Sequence, residues 1–113
     1  AVLGTPGGSR IISMVIQGVL ALDDGASALE AAAQPRVHHQ YLPDEVSIEP
    51  GALSPALRAG LEARGHAIKE EPRTWGNMQV VVWHLDDGRV EAGADPRWKS
   101  VGKGSTEDGS IFR

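Results

Sequence analysis

Ala1-Val2-Leu3-Gly4-Thr5-Pro6-Gly7-Gly8-Ser9-Arg10-Ile11, continued by the apolar run Ile12 to Leu20, contains a change of backbone period that decides how the chain starts. Ala1 to Leu3 reads as the end of a strand. The Gly4-Thr5-Pro6-Gly7-Gly8 stretch must then turn tightly, because glycine enters positive φ freely. Ser9 stands where a helix N-cap belongs. From there Ile11, Ile12, Val15, Ile16, Val19 and Leu20 recur at three- and four-residue intervals, on one stripe of an amphipathic helix that ends near Asp23-Asp24-Gly25. Two consecutive glycines before a helix let main-chain N–H groups face one point, and the helix N-terminus adds a field that favours negative charge. The loop is not a Walker motif, since Arg10 follows Ser9 and no Gly-Lys-Ser/Thr sequence occurs.

Outward from this start the pattern stays mixed. Ser27 to Ala33 is an alanine-rich helical run, closed by Gln34-Pro35 because proline disfavours helical geometry in the residue before it. Val37 to Gln40 and Glu45 to Ile48 alternate polar with apolar side chains and read as two strands around the turn residues Leu42-Pro43-Asp44. Ser54-Pro55 supplies an N-cap and first-turn pair for a helix through Leu57 and Leu61 that closes at Arg64-Gly65. His66 to Glu70, Met78 to Leu85 and Arg89 to Ala92 read as strands, the last two joined by the hairpin signal Asp86-Asp87-Gly88. Strands and two or three helices without regular alternation, and with a hairpin among them, predict an α+β fold with mostly antiparallel pairing. After Arg97 the composition turns to Lys, Gly, Ser, Thr and Asp, which predicts a loosely ordered tail over 98–113.

The 113 residues suffice for one modest core, and 41% hydrophobic with 23% charged residues is ordinary globular composition. A formal charge of −4 with interleaved signs offers no basic face for a phosphate backbone, which argues against nucleic acid as a partner. No apolar stretch reaches the roughly 18 to 20 residues that span a bilayer. With no cysteine there is neither a disulfide framework nor a thiolate metal site. Ala1 runs straight into a structured motif, as expected of a piece of something longer.

Three segments, in this order and spacing, resemble the small, C-terminal subunit of gamma-glutamyltranspeptidases: Gly4 to Ile11, Gln34-Pro35-Arg36-Val37-His38-His39-Gln40 with Leu42-Pro43-Asp44-Glu45, and Gly93-Ala94-Asp95-Pro96-Arg97. Gly65-His66 and Gly76-Asn77-Met78-Gln79-Val80 also look like this family, so the resemblance covers residues 1–97. It implies part of an αββα N-terminal nucleophile hydrolase sandwich, from an enzyme that transfers or hydrolyses γ-glutamyl groups of glutathione-like substrates through a threonyl acyl-enzyme. The implied nucleophile and the substrate-binding residues precede the Pro-Gly-Gly loop and map to nothing in this chain, which is therefore expected to be inactive alone. What carries over is the backbone N–H pair of Gly7 and Gly8, as the oxyanion hole. The implied partners are the rest of the same enzyme and a γ-glutamyl small molecule. Exposed apolar faces would also let the fragment associate with itself. Bacterial relatives are similar to periplasmic or secreted enzymes. Acylases acting on β-lactam side chains and γ-polyglutamate depolymerases look similar over the same motifs, and a non-catalytic self-associating domain is the reading from a different class.

Other residue types invite sharper roles than their context supports. His38 and His39 are adjacent on a strand and point to opposite faces, so one ion would not easily collect both. His66 and His84 lack an acidic residue at metalloprotease spacing, and no metal or cofactor follows from them. Thr5, Thr74 and Thr106 are internal and present no free α-amine, so none is a candidate N-terminal nucleophile. Arg10 reads as a surface or structural ion-pair residue. Asp44, Asp95 and Arg97 read as architectural, and Trp75, Trp83 and Trp98 as core or packing aromatics.

Overall fold

The computed structural model describes residues 1–98 and the backbone of residues 111–112. Its contacts divide the chain into two compact units, Ala1–Gln34 with Gly76–Arg113, and Pro35–Trp75. The architecture is α+β, and the pairing is antiparallel except between one pair of strands.

In the first unit, β1 (Val2–Gly4), β5 (Gln79–Trp83), β6 (Val90–Ala94) and β7 (Ile111–Phe112) form a sheet in the order β1-β5-β6-β7. The hairpin expected around Asp86-Asp87-Gly88 joins β5 to β6 in the register Val81↔Ala92. Helices α1 (Ile11–Asp23) and α2 (Ala28–Ala33) pack against this sheet and each other. The expectation of a loose tail over 98–113 falls, apart from Trp98 and the β7 backbone, outside the described residues.

A helix as short as α2 is marginal by itself and must be held by its ends and its packing. Ser27 and Glu30 form a reciprocal capping box: the Glu30 N–H donates to Ser27 Oγ at 3.1 Å, and the Ser27 N–H to Glu30 Oε2 at 2.7 Å. The Ala28 N–H donates to the buried carboxylate of Glu91 on β6. Buried Ala28, Ala31 and Ala32 present no bulk, so the helix lies almost on the strand. At Gly93 a Cβ would stand 2.3 Å from the Ala28 carbonyl carbon, closer than any real side chain is found. Gly93 is therefore the residue that permits this layer spacing.

The apolar stripe of α1 is not its packed side. Met14 and Gly18 are buried, whereas Ile12, Ile16, Val19 and Leu20 are exposed, Ile12 at 70%. The reason is again a close approach: a Cβ on Gly18 would lie 2.8 Å from Leu3 Cδ1, so the glycine side of the helix is the one that can reach β1. Nor does Ser9 cap this helix. Gly8–Arg10 form a 3-10 turn first, and Arg10 takes the cap position without a side-chain cap bond. The sheet face bearing Val2, its partner Val81 and Trp83 is exposed, and so is Trp98, so of the expected core or packing roles these two tryptophans do not take the core one.

In the second unit β2 (Val37–His38) pairs antiparallel with β3 (Val46–Ile48), around the expected turn. Helix α3 (Pro55–Ala63) starts as expected, with Ser54 Oγ accepting from the Leu57 N–H at 3.2 Å and Pro55 in the first turn. The chain then returns as β4 (Ile68–Glu70), parallel to β3. Parallel pairing needs a crossover of this kind, and α3 supplies it.

Candidate functional site

The loop between β1 and α1 gathers the candidate site. Gly7 has φ 156° and ψ 14°, and Gly8 has φ 58°, both in the range where side chains are strained. Beneath Gly7 there is no room either, since a Cβ there would sit 2.6 Å from Cε of the buried Met14. Around Gly8 the space is open. Both glycines are exposed, and among the described residues no hydrogen bond engages either N–H. The Arg10 N–H donates to Gly7 O at 3.1 Å, closing the 3-10 turn that leads into α1. Unengaged amides on consecutive peptides at a helix start form a place where an anion, or an oxygen gaining negative charge, is stabilised.

The sequence profile of the gamma-glutamyltranspeptidase family matches residues 1–105. The chain belongs to the gamma-glutamyltranspeptidase family. A glutathione hydrolase proenzyme of Escherichia coli strain K12 is 40% identical over 97 residues, 85% of this chain and 16% of its own length. One from Pseudomonas aeruginosa is 36% identical over 104 residues, 89% of this chain and 18% of its own. The gamma-glutamyltranspeptidase from Pseudomonas nitroreducens complexed with L-DON superimposes with a TM-score of 0.76 at 33% identity, covering 88% of this chain and 52% of that chain. This chain thus spans less than a fifth of the length of these two curated relatives.

For this gamma-glutamyltranspeptidase-family chain the structure places the other singled-out residues in supporting positions. Thr5 lies under the loop, its Oγ1 accepting from the Asn77 N–H at 2.9 Å and standing 3.0 Å from Pro6 O. Thr74 is exposed, and Thr106 lies outside the described residues. Asp95 is buried and accepts from the Met78 N–H at 2.9 Å, the Arg97 N–H at 2.9 Å and Arg97 Nη1 at 3.1 Å. Arg97 Nη2 in turn donates to Gln34 O at 3.0 Å, at the C-terminal end of α2, where carbonyls lack helical partners. His38 Nε2 pairs with Gln40 Oε1 at 2.8 Å, His39 with Asp44 at 3.1 Å and His84 with Glu91 at 3.2 Å, while His66 is exposed. Among the described residues no three metal-ligating side chains converge.

Two buried carboxylates in the family chain escaped the sequence reading. Glu91 reads as one polar position in a strand, yet it faces inward to α2. Glu49 follows β3 and accepts from the Arg36 N–H at 3.0 Å and the Trp75 N–H at 2.9 Å. Arg36 Nη1 also donates to Trp75 O. Arg36 and Trp75 lie at the two ends of Pro35–Trp75, so this carboxylate ties together the entry and exit of its unit. No sequence signal marked Glu49, because Val46-Ser47-Ile48 reads as a half-exposed alternating strand and only the fold buries all three positions beside it.

Proposed function

We propose that residues 1–97 are the C-terminal portion of the small subunit of a larger enzyme that transfers or hydrolyses γ-glutamyl groups of glutathione-like molecules through a threonyl acyl-enzyme. Gly7 and Gly8 supply the main-chain N–H pair that stabilises the oxyanion of the tetrahedral intermediate. The observation carrying this reading is the loop itself, two exposed glycines with unengaged amides at the start of α1. Donors aimed at developing charge act in the transition state and are worth on the order of a hundred- to a thousandfold in turnover for one donor. The nucleophile and the residues that bind the donor substrate belong to the rest of the enzyme, and this chain alone is inactive.

The exposed apolar surface supports a missing partner. Val2, Val81 and Trp83 lie on one open sheet face at 76%, 43% and 62% exposure, an apolar group that a further layer of the larger enzyme would cover. The same surface favours a second reading, in which the isolated chain associates with itself.

Activity on γ-glutamyl-p-nitroanilide tests the first reading. Nitroaniline release by the full-length protein carrying this chain, and none by residues 1–113, is the expected result. Release by the isolated chain would sink the assignment of the nucleophile to another segment. Release by neither would shift the substrate class toward a β-lactam side chain or polyglutamate, or remove catalysis altogether. Light scattering after size exclusion addresses the second reading, which a strictly monomeric chain would exclude.

A further inference from the structure

We propose that Thr5 is a positioning residue for the Gly7 N–H donor, acting through the carbonyl of the same peptide. The inference rests on the reading of Gly7 and Gly8 as oxyanion donors. The Pro6–Gly7 peptide plane turns over more easily than most, because Gly7 has no Cβ to restrict φ on its side, so the Gly7 N–H is only partly oriented by its own backbone. In a trans peptide the C=O and N–H bonds point in opposite directions within one plane. Whatever holds the carbonyl oxygen therefore aims the N–H.

Each of the two donor peptides has its carbonyl held. Gly7 O, the partner of the Gly8 N–H, accepts from the Arg10 N–H at 3.1 Å. Pro6 O, the partner of the Gly7 N–H, lies 3.0 Å from Thr5 Oγ1, which donates to it. The first restraint is main-chain and comes with the 3-10 turn; the second depends on a side chain. Thr5 Oγ1 is itself fixed, because it accepts the Asn77 N–H at 2.9 Å just ahead of β5. Met14 Sδ, at 3.8 Å, is the weaker competing acceptor for the single hydroxyl proton. A hydrogen bond at a peptide oxygen also polarises that peptide and strengthens its N–H as a donor. The Thr5 hydroxyl thus aims the Gly7 donor and raises its strength.

Steady-state kinetics of the full-length protein on γ-glutamyl-p-nitroanilide tests this, using Thr5→Val, Thr5→Ser and a main-chain ester in place of the Gly7 amide. An interaction that serves only the transition state appears in kcat and not in KM. The ester is expected to lower kcat about a hundredfold, and Thr5→Val about tenfold or more with KM changed by less than about twofold, while Thr5→Ser stays near wild type. If Thr5→Val accumulates no folded protein, Thr5→Ala is measured in its place, with the same expectation. A hydroxyl-free variant with wild-type kcat beside a crippled ester would overturn the positioning role and leave the donor assignment standing. An ester with full kcat would remove the donor assignment and the proposal with it. Loss of kcat in Thr5→Ser, which keeps the hydroxyl, equal to that in Thr5→Val would show that any change of side-chain shape at this position lowers turnover whether or not the hydrogen bond is kept, and would overturn the proposal as well.

Discussion

The two units of the chain share one device, a buried carboxylate that accepts main-chain amides (Glu91 and Asp95 in the first, Glu49 in the second), and differ in their apolar packing. The unit containing the glycine loop buries Met14, Ala28, Ala31, Ala32, Met78 and Val80, and it brings α2 so close to β6 that only Gly93 fits between them. Pro35–Trp75 buries Val46 and Ile48 as its apolar core and closes itself by hydrogen bonds to the Glu49 carboxylate. Where apolar surface is scarce, a buried carboxylate that receives amides from both ends of a segment does what packing does elsewhere. The difference bears on how the units fail: added volume tells most in the first, where main chain meets main chain, and a lost acceptor tells most in the second, where the apolar core is small.

Gly93→Ala should do the most damage. The new methyl meets main chain of α2, which cannot rotate away as a side chain would, so α2 must shift or detach. We expect a loss of about 3 kcal/mol, the upper part of the overpacking range, read as a lower urea midpoint. A change within about 0.5 kcal/mol would break the claim that contact distance governs this unit. Glu49→Ala comes next, leaving the Arg36 and Trp75 amides without that acceptor. Its expected cost is about 1 kcal/mol for each of the two amides, the low end of the range for a buried donor that loses its acceptor. Hydrogen exchange at those two amides sharpens the comparison, because faster exchange there, with α2 amides unaffected, shows that the loss is confined to one unit.

A smaller effect is expected from Ser54→Ala, which removes the cap of α3 at about 1 kcal/mol in thermal unfolding. The smallest concerns acid. Hydrogen bonds from the Ser27 backbone, and then from its hydroxyl, hold the Glu30 carboxyl below its ordinary value of 4.5. A carboxyl whose folded value is depressed contributes stability that is present above 4.5 and is lost as pH falls through the lowered value. Protection of the Ala31 N–H, which donates to Ser27 O in the first turn of α2, should therefore weaken in that window. In Glu30→Gln the weakening should disappear, and an unchanged acid response in that variant would assign the effect to another group.

What the sequence determined was local or compositional. The strand–turn–helix start, the Ser54-Pro55 helix opening and the hairpin at Asp86-Asp87-Gly88 depend on patterns that repeat or cap within a few residues, and the family resemblance over residues 1–97 on the order and spacing of short motifs. Gly7 and Gly8 were legible for the same reason, since φ at a glycine is a property of the loop they sit in. Only the tertiary structure decided which side of α1 is packed, because periodicity defines a stripe without saying what meets it; here Gly18 reaches β1 and the isoleucines do not. The parallel pairing of β3 with β4 was equally hidden, since it depends on where the α3 crossover returns the chain. The same holds for the buried carboxylates and for Thr5. Glu49 meets an amide 26 residues away, Glu91 one 63 residues away and Thr5 one 72 residues away. A polar side chain carries no mark of a distant partner until folding removes water from both, and the resulting need for a hydrogen bond is what assigns these residues their places.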